Sequence, residues 1–219
     1  HPFTAIHEAL LDRDLDEARR LLADWQGAGI NTDTMSESEV IRLALERAIV
    51  GSHRHVFGTI FWFMVPMGPA GVVLYRLVDM AAQRWPSQAS ASLGQAARDF
   101  FQLIDWIPVR LTAMGFAIVG NFEDAMYGWR YHLRKWSNEL EAVILAAGAG
   151  ALGVRLGAPL PEPDSDEALR MAEAGEPPIH DLGHEASIRS LRSAVGLVWR
   201  AVILWLTLIA LMTISVWIG

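Results

Sequence analysis

"AVILWLTLIALMTISVWIG", residues 201–219, decides the class of this fold. Nineteen residues pass without a charge, and as a helix they reach roughly 28 Å at about 1.5 Å per residue, close to the hydrocarbon thickness of a bilayer. Buried helices of soluble proteins rarely run so long with nothing more polar than Thr and Ser. The stretch reads as a C-terminal membrane span, with Trp199 and Trp217 as interfacial anchors.

Arg189, Arg192 and Arg200 precede that span, which predicts a cytoplasmic near side and a C-terminus outside. Before them lies a polar, Pro-rich connection over 158–185. "ILAAGAGALGVRLG" (144–157) is rich in Gly and Ala, and Gly153 and Gly157, four apart, suit close helix packing. A second uncharged run, "VFGTIFWFMVPMGPAGVVLY" (56–75), is interrupted by Pro66, Gly68 and Pro69, so it predicts a bent span or a re-entrant pair of half-helices. A helical pattern from about Ala96 to Gly120 carries "IDWIPVR" (104–110). Asp105 and Arg110 in that pattern are too costly to face lipid, so both are expected to point inward, as partners, with Pro108 bending the helix between them. "RWPSQASASLGQ" (84–95) reads as a small-residue linker, and the cluster Arg130, His132, Arg134 and Lys135 as a positive-inside flank.

The chain opens on "HPFTAIHEALL" with no initiator Met, and an upstream portion is expected. Asp14 with Glu17, and Ser36 with Glu39, have capping-box spacing, so a break near residues 12–14 and a helix from about Ser36 to Val50 follow. The fold class expected is all-α: a polytopic helical membrane protein, with an aqueous, amphipathic segment over 1–55 and a membrane domain over 56–219. Its spans are placed at about 56–79, 101–120, 140–157 and 196–218.

The net charge of -7 and the lack of a basic recognition face argue against a nucleic-acid partner; the lipid bilayer is the partner expected, and the oligomeric state is not legible. The absence of cysteine excludes disulfides, thiolate chemistry and Cys-based metal sites. His53 and His55, two apart on a helix, point in different directions, and no metal site is assigned to them.

Three stretches taken together, "IFWFMVPMGPAGVVLYRLVD" (60–79), "IDWIPVRLTA" (104–113) and "GALGVRLGAP" (150–159), resemble in order and spacing the CobD/CbiB family of adenosylcobinamide-phosphate synthases of cobalamin biosynthesis. That resemblance extends over roughly Asp33 to Arg192 and implies a membrane-bound ligase of a bacterial inner membrane. It would join the carboxylate of adenosylcobyric acid, a corrinoid, to aminopropanol or its phosphate, with ATP and Mg2+. Such a reaction needs an activated carboxylate, cations for phosphates and a base for the amine.

Carried over position by position, the resemblance implies catalytic roles for Asp33, Glu46, Asp105, Arg110 and Asp181. It implies substrate or phosphate contacts for Thr34 and Arg155; His53, Arg54 and His55, which stand where the family's acids are lost, are read as phosphate or lipid-headgroup contacts, and no protein-held metal site is assigned. Asp79 matches a further family acid. The chain departs from the pattern at Val50, Gly51 and Arg54, where the family carries Glu, Asn and Asp, and at Asp105, where it carries Asn. Asp before Trp in "IDWIPVR" is similar instead to the AmpE membrane proteins associated with beta-lactamase regulation. The alternative reading is therefore a non-catalytic CobD/CbiB-like or AmpE-like membrane protein serving in sensing or assembly.

Overall fold

The computed structural model of the protein describes residues 2–27, 31–65, 68–88, 91–126, 140–156 and 183–218, and among them every regular element is helical. The Arg130–Lys135 cluster, Gly157, most of the Pro-rich connection and Asp181 lie outside the described residues.

Helices α1 (Pro2–Leu11) and α2 (Leu15–Gln26) meet where the sequence placed a break. Arg13 takes a left-handed φ of 60°, and the Asp14 carboxylate accepts the Glu17 amide at 2.9 Å, satisfying a first-turn donor. Helix α3 (Glu37–Ser52) starts with a complete capping box: the Ser36 hydroxyl accepts the Glu39 amide at 3.3 Å, and the Glu39 carboxylate accepts the Ser36 amide at 2.7 Å. These bonds hold the Glu39 carboxyl below its ordinary range, the backbone bond from Ser36 contributing most.

At its C-terminal end α3 passes into a five-residue π turn (His53–Phe57) and then α4 (Gly58–Met64). Helix α5 (Pro69–Gln88) folds back against α4, so the second apolar run is a pair of helices, one ending at Met64 and the next starting at Pro69, rather than one bent span. Helix α6 (Ala91–Val119) packs on α5 and on α7 (Leu140–Leu152). The stretch expected to be a linker is mostly helix, divided between the end of α5 and the start of α6, because Ala, Gln and Ser tolerate helix well enough once tertiary packing supports it.

Residues 140–157 do not form a full span. Helix α7 stops at Leu152, where Gly153 takes a φ of 64°, and thirteen residues reach only about 20 Å. Gly153 therefore ends a helix instead of packing one. Close approach is made by Gly150, where a Cβ would strike the backbone of Asp124 and Ala125, and by Gly148 against Ile49. Beyond α7, Val154 and His184 form an isolated parallel bridge.

Helix α8 (Ile188–Ile218) is 31 residues long. Its first half buries Leu191, Ala194, Leu197 and Ala201 in a core shared with Ile41, Leu45 and Ile49 of α3. Trp205 closes this region, its ring 5.7 Å from that of Phe57, which in turn meets Phe116 edge-on at 5.6 Å. Past it, Leu206, Leu211, Met212, Val216 and Trp217 are all more than half exposed. Only lipid solvates such a surface without penalty, and α6 also carries a stretch apolar and long enough to cross a bilayer. The architecture is that of an all-α membrane protein.

Candidate functional site

The π turn decides which residues meet. One extra residue per turn swings the chain between α3 and α4, so that His53 enters the bundle while His55 stays at its surface. His53 is 1% exposed, and its Nε2 lies 3.0 Å from each carboxylate oxygen of Asp105, on α6. Tyr75 of α5 donates its hydroxyl to Asp105 Oδ1 at 3.0 Å.

On the other side of the ring, His53 Nδ1 lies 3.0 Å from Thr112 Oγ1. The Thr112 hydroxyl spends its proton on the Pro108 carbonyl at 2.9 Å, so Nδ1 must be the donor in the contact with His53. Every polar atom of the His53 ring is thereby engaged inside the protein. Gly58 makes room for this network, since a Cβ there would collide with the Tyr75 ring.

A second cluster surrounds Arg54, the next residue. Its guanidinium pairs with Asp79 at 3.4 Å and with Glu141 of α7, and sits 5.2 Å over the Phe101 ring. Asp79, 2% exposed, also takes Arg76 at 3.3 Å and the Gln83 amide at 2.6 Å. Buried carboxylates persist when so paired.

Two cavities flank this cluster. The outer one, 800 Å³, lies where Trp25, Arg47, His55, Leu145 and Trp199 approach one another, with Glu46 on its wall. Arg47 stacks over Trp25 at 5.8 Å, and Glu46 pairs with Arg42 at 3.1 Å. The inner cavity, 260 Å³, is bounded by Arg98, Gln102, Phe101, His53 and Asp105. Val50, Arg54, Gln83 and Glu141 face both and form the partition between them. His55 Nδ1 bonds the Gly51 carbonyl at 2.9 Å, and a carbonyl can only accept. In the neutral ring Nδ1 therefore carries the proton, and Nε2 carries the lone pair.

The residues singled out in the sequence are distributed over this frame. His53, Arg54 and Asp105 come together around the inner cavity; Glu46, Arg54 and His55 line the outer one. Asp33 and Thr34 stand exposed in the turn before α3. Arg155 donates to the Gly183 carbonyl at 2.7 Å beside the isolated bridge. Arg110 does not pair with Asp105. Five residues along a helix turn the side chain through roughly 140°, so Arg110 lies on the outer side of α6, stacked 3.9 Å over the Trp106 ring and bonded to the Trp106 carbonyl at 3.0 Å.

Tyr75, Thr112, Gln83 and Glu141 were not selected from the sequence. Three of them had a signal in spacing: Tyr75 stands four before Asp79, Gln83 four after it, and Thr112 seven after Asp105, each pair on one helix face. Glu141 had none, because its link to Arg54 crosses 87 positions.

Magnesium asks for several oxygen ligands. Among the described residues no three His, Asp or Glu side chains are grouped to hold a metal ion, and Asp79 and Glu141 are already held by Arg54. The described residues do not fit a protein-held Mg2+.

A family profile described as CobD/Cbib protein matches residues 2–198. A protein of Stutzerimonas stutzeri (strain A1501), described as cobalamin biosynthesis protein CobD, is 33% identical over 203 residues, 92% of this chain and 63% of that protein. One of the same description from Chromobacterium violaceum is 33% identical over 156 residues, 69% of this chain and 48% of that protein. The chain thus spans between about half and two-thirds of the length of these relatives. No solved structure matches it. On the extent of the profile match and the identity to these relatives, the chain belongs to the CobD/CbiB family.

Proposed function

We propose that this protein acts in cobalamin biosynthesis as an adenosylcobinamide-phosphate synthase-like enzyme of the bacterial inner membrane, forming an amide between adenosylcobyric acid and an amino alcohol or its phosphate. The observation that carries this reading is His55: a ring whose tautomer the Gly51 carbonyl sets, on the wall of a cavity of 800 Å³, beside Arg47 and Arg54. That volume lies in the range of pockets that enclose drug-sized groups.

In the step proposed, the amine nitrogen bonds to the activated carboxyl carbon, and the activating group leaves with its electron pair. The ammonium proton passes to His55 Nε2. Arg47 offsets negative charge at the same wall. ATP is the source of activation proposed; its Mg2+ would arrive with the nucleotide, and no step here is assigned to it. Arg189, Arg192 and Arg200, in the first half of α8, support a cytoplasmic near end for the last span and a C-terminus outside.

A second reading rests on a different observation. His53, Asp105, Tyr75 and Thr112 satisfy one another, leaving the ring nitrogens nothing to offer a substrate. A non-catalytic CobD/CbiB-like or AmpE-like role in sensing or assembly would need only that packing.

The test is an assay of the full protein in lipid nanodiscs with adenosylcobyric acid, aminopropanol phosphate and ATP, read by mass spectrometry. The amide product is expected from the wild type and, at least about a hundredfold slower, from His55→Gln. No product from well-folded wild type favours the second reading.

A further inference from the structure

Helix α4 sets out in the same direction as the last span. Arg54 and His55, just ahead of α4, share the outer cavity's wall with Val198 and Trp199, just ahead of the uncharged run of α8. Phe57 then meets Trp205, six residues past Trp199 and about 9 Å further along α8. The two stems of the α4–α5 hairpin run antiparallel: Arg54 pairs with Asp79 at 3.4 Å at the base, and Gly58 lies against the Tyr75 ring one turn on. Beyond that base, residues 56–75 carry no charge. Arg76, the first charge on the returning stem, turns back to Asp79 at 3.3 Å. The turn also spends its donors internally: the Val65, Gly68 and Gly71 amides donate to the Phe61, Val65 and Gly68 carbonyls at 3.0 to 3.1 Å, and Pro69 has no N–H.

Length sets how deep the hairpin goes. The seven residues of α4 reach about 10 Å, and α5 from Asp79 back to Pro69 about 15 Å, against a hydrocarbon core of about 30 Å. Neither stem reaches the far side. Yet Phe63 and Met64 at the end of α4, and Val73, Leu77 and Met80 along one side of α5, are exposed, and α6, packed on α5, exposes Leu103, Ile107, Met114 and Ile118 as well. Water solvates so broad an apolar surface at a cost that acyl chains do not impose. We propose that the α4–α5 hairpin enters one leaflet of the bilayer and leaves by the same face, its Arg54–Asp79 base at the headgroups beside Trp199 and its tip near the midplane. The wall that carries Arg54 and His55 then stands at the membrane surface, on the side where the last span begins. This placement holds whether or not the chain forms an amide.

The chain has no cysteine, so each single substitution gives one labelling site. Phe63→Cys, Val73→Cys, Leu77→Cys and Met80→Cys, all at exposed positions, carry a nitroxide in the full protein in liposomes, with Leu11→Cys of the first helix as reference. Electron paramagnetic resonance reads collision with oxygen, which concentrates among acyl chains, and with a charged nickel chelate, which they exclude. The oxygen-to-nickel ratio is expected to rise severalfold from Met80 through Leu77 and Val73 to Phe63, and to stay at its value in water at Leu11. A membrane-impermeant maleimide added from either face is expected to miss Phe63→Cys until detergent is added. Labelling of Phe63→Cys from the face opposite Leu11→Cys overturns the proposal in favour of a crossing. Nickel collision at Phe63 equal to that at Leu11 overturns it by placing the hairpin in water. Exclusion of both reagents from Phe63, Val73 and Leu77 assigns this surface to another protein chain and overturns it equally.

Discussion

His53 and Asp105, 52 positions apart in sequence, meet with the imidazole Nε2 3.0 Å from both carboxylate oxygens. This contact ties the π turn to α6. Removing the carboxylate leaves a buried ring nitrogen without its partner, so Asp105→Ala is expected to cost about 3–5 kcal/mol and Asp105→Asn, which keeps an acceptor, clearly less. Thermal unfolding followed by circular dichroism in detergent checks the order. Equal stability of wild type and Asp105→Ala would show that the pair holds nothing together.

Gly58 and Tyr75 are coupled through space. Gly58→Ala pushes a methyl group into the Tyr75 ring and should cost about 1–3 kcal/mol. Tyr75→Phe removes the hydroxyl that bonds Asp105 and should cost about 1–2 kcal/mol. The hydroxyl is among the atoms the new methyl would strike, so the double variant is expected to lose less than the sum of the two. A double-mutant cycle of unfolding free energies measures the difference.

The start of α3 gives a pH dependence with a defined sign. The Glu39 carboxyl is held below its ordinary value in the folded chain, so its contribution is present above the ordinary carboxylate range and is lost as pH falls through the lowered value. Ser36→Ala removes the hydroxyl half of the box and should cost about 1 kcal/mol near neutral pH. The gap between wild type and variant should narrow on acidification, which melting curves at stepped pH will show.

Much of the fold is written locally. The uncharged run from Ala201 announces a span by itself, and the breaks at Asp14 and between Met64 and Pro69 follow from capping and from the proline and glycine content of the second run. What the sequence could not show is how α5, α6 and α7 face one another, because that depends on contacts such as Arg54 to Glu141 that no period encodes. The inward arrangement expected for Asp105 and Arg110 is half right for a helical reason: both lie on α6, but five residues separate their faces. The Gly-rich stretch misled in register, since the glycine that ends α7 looks in sequence like the ones that pack it.

The exposed half of α8 makes a simple prediction about insertion. A Leu211→Arg variant places a charge in the apolar stretch and should raise the insertion free energy by about 3 kcal/mol. Carbonate extraction of membranes should then release a larger share of the variant than of the wild type.

The amide chemistry proposed for the wall where His55 and Arg54 stand has a growth readout. It is tested most directly by growth of a strain that lacks its own adenosylcobinamide-phosphate synthase, fed adenosylcobyric acid and dependent on cobalamin. The wild-type protein is expected to restore growth, and His55→Gln, inserted to the same level, is expected not to. Failure of well-inserted wild type to restore growth, or full restoration by His55→Gln, would contradict it.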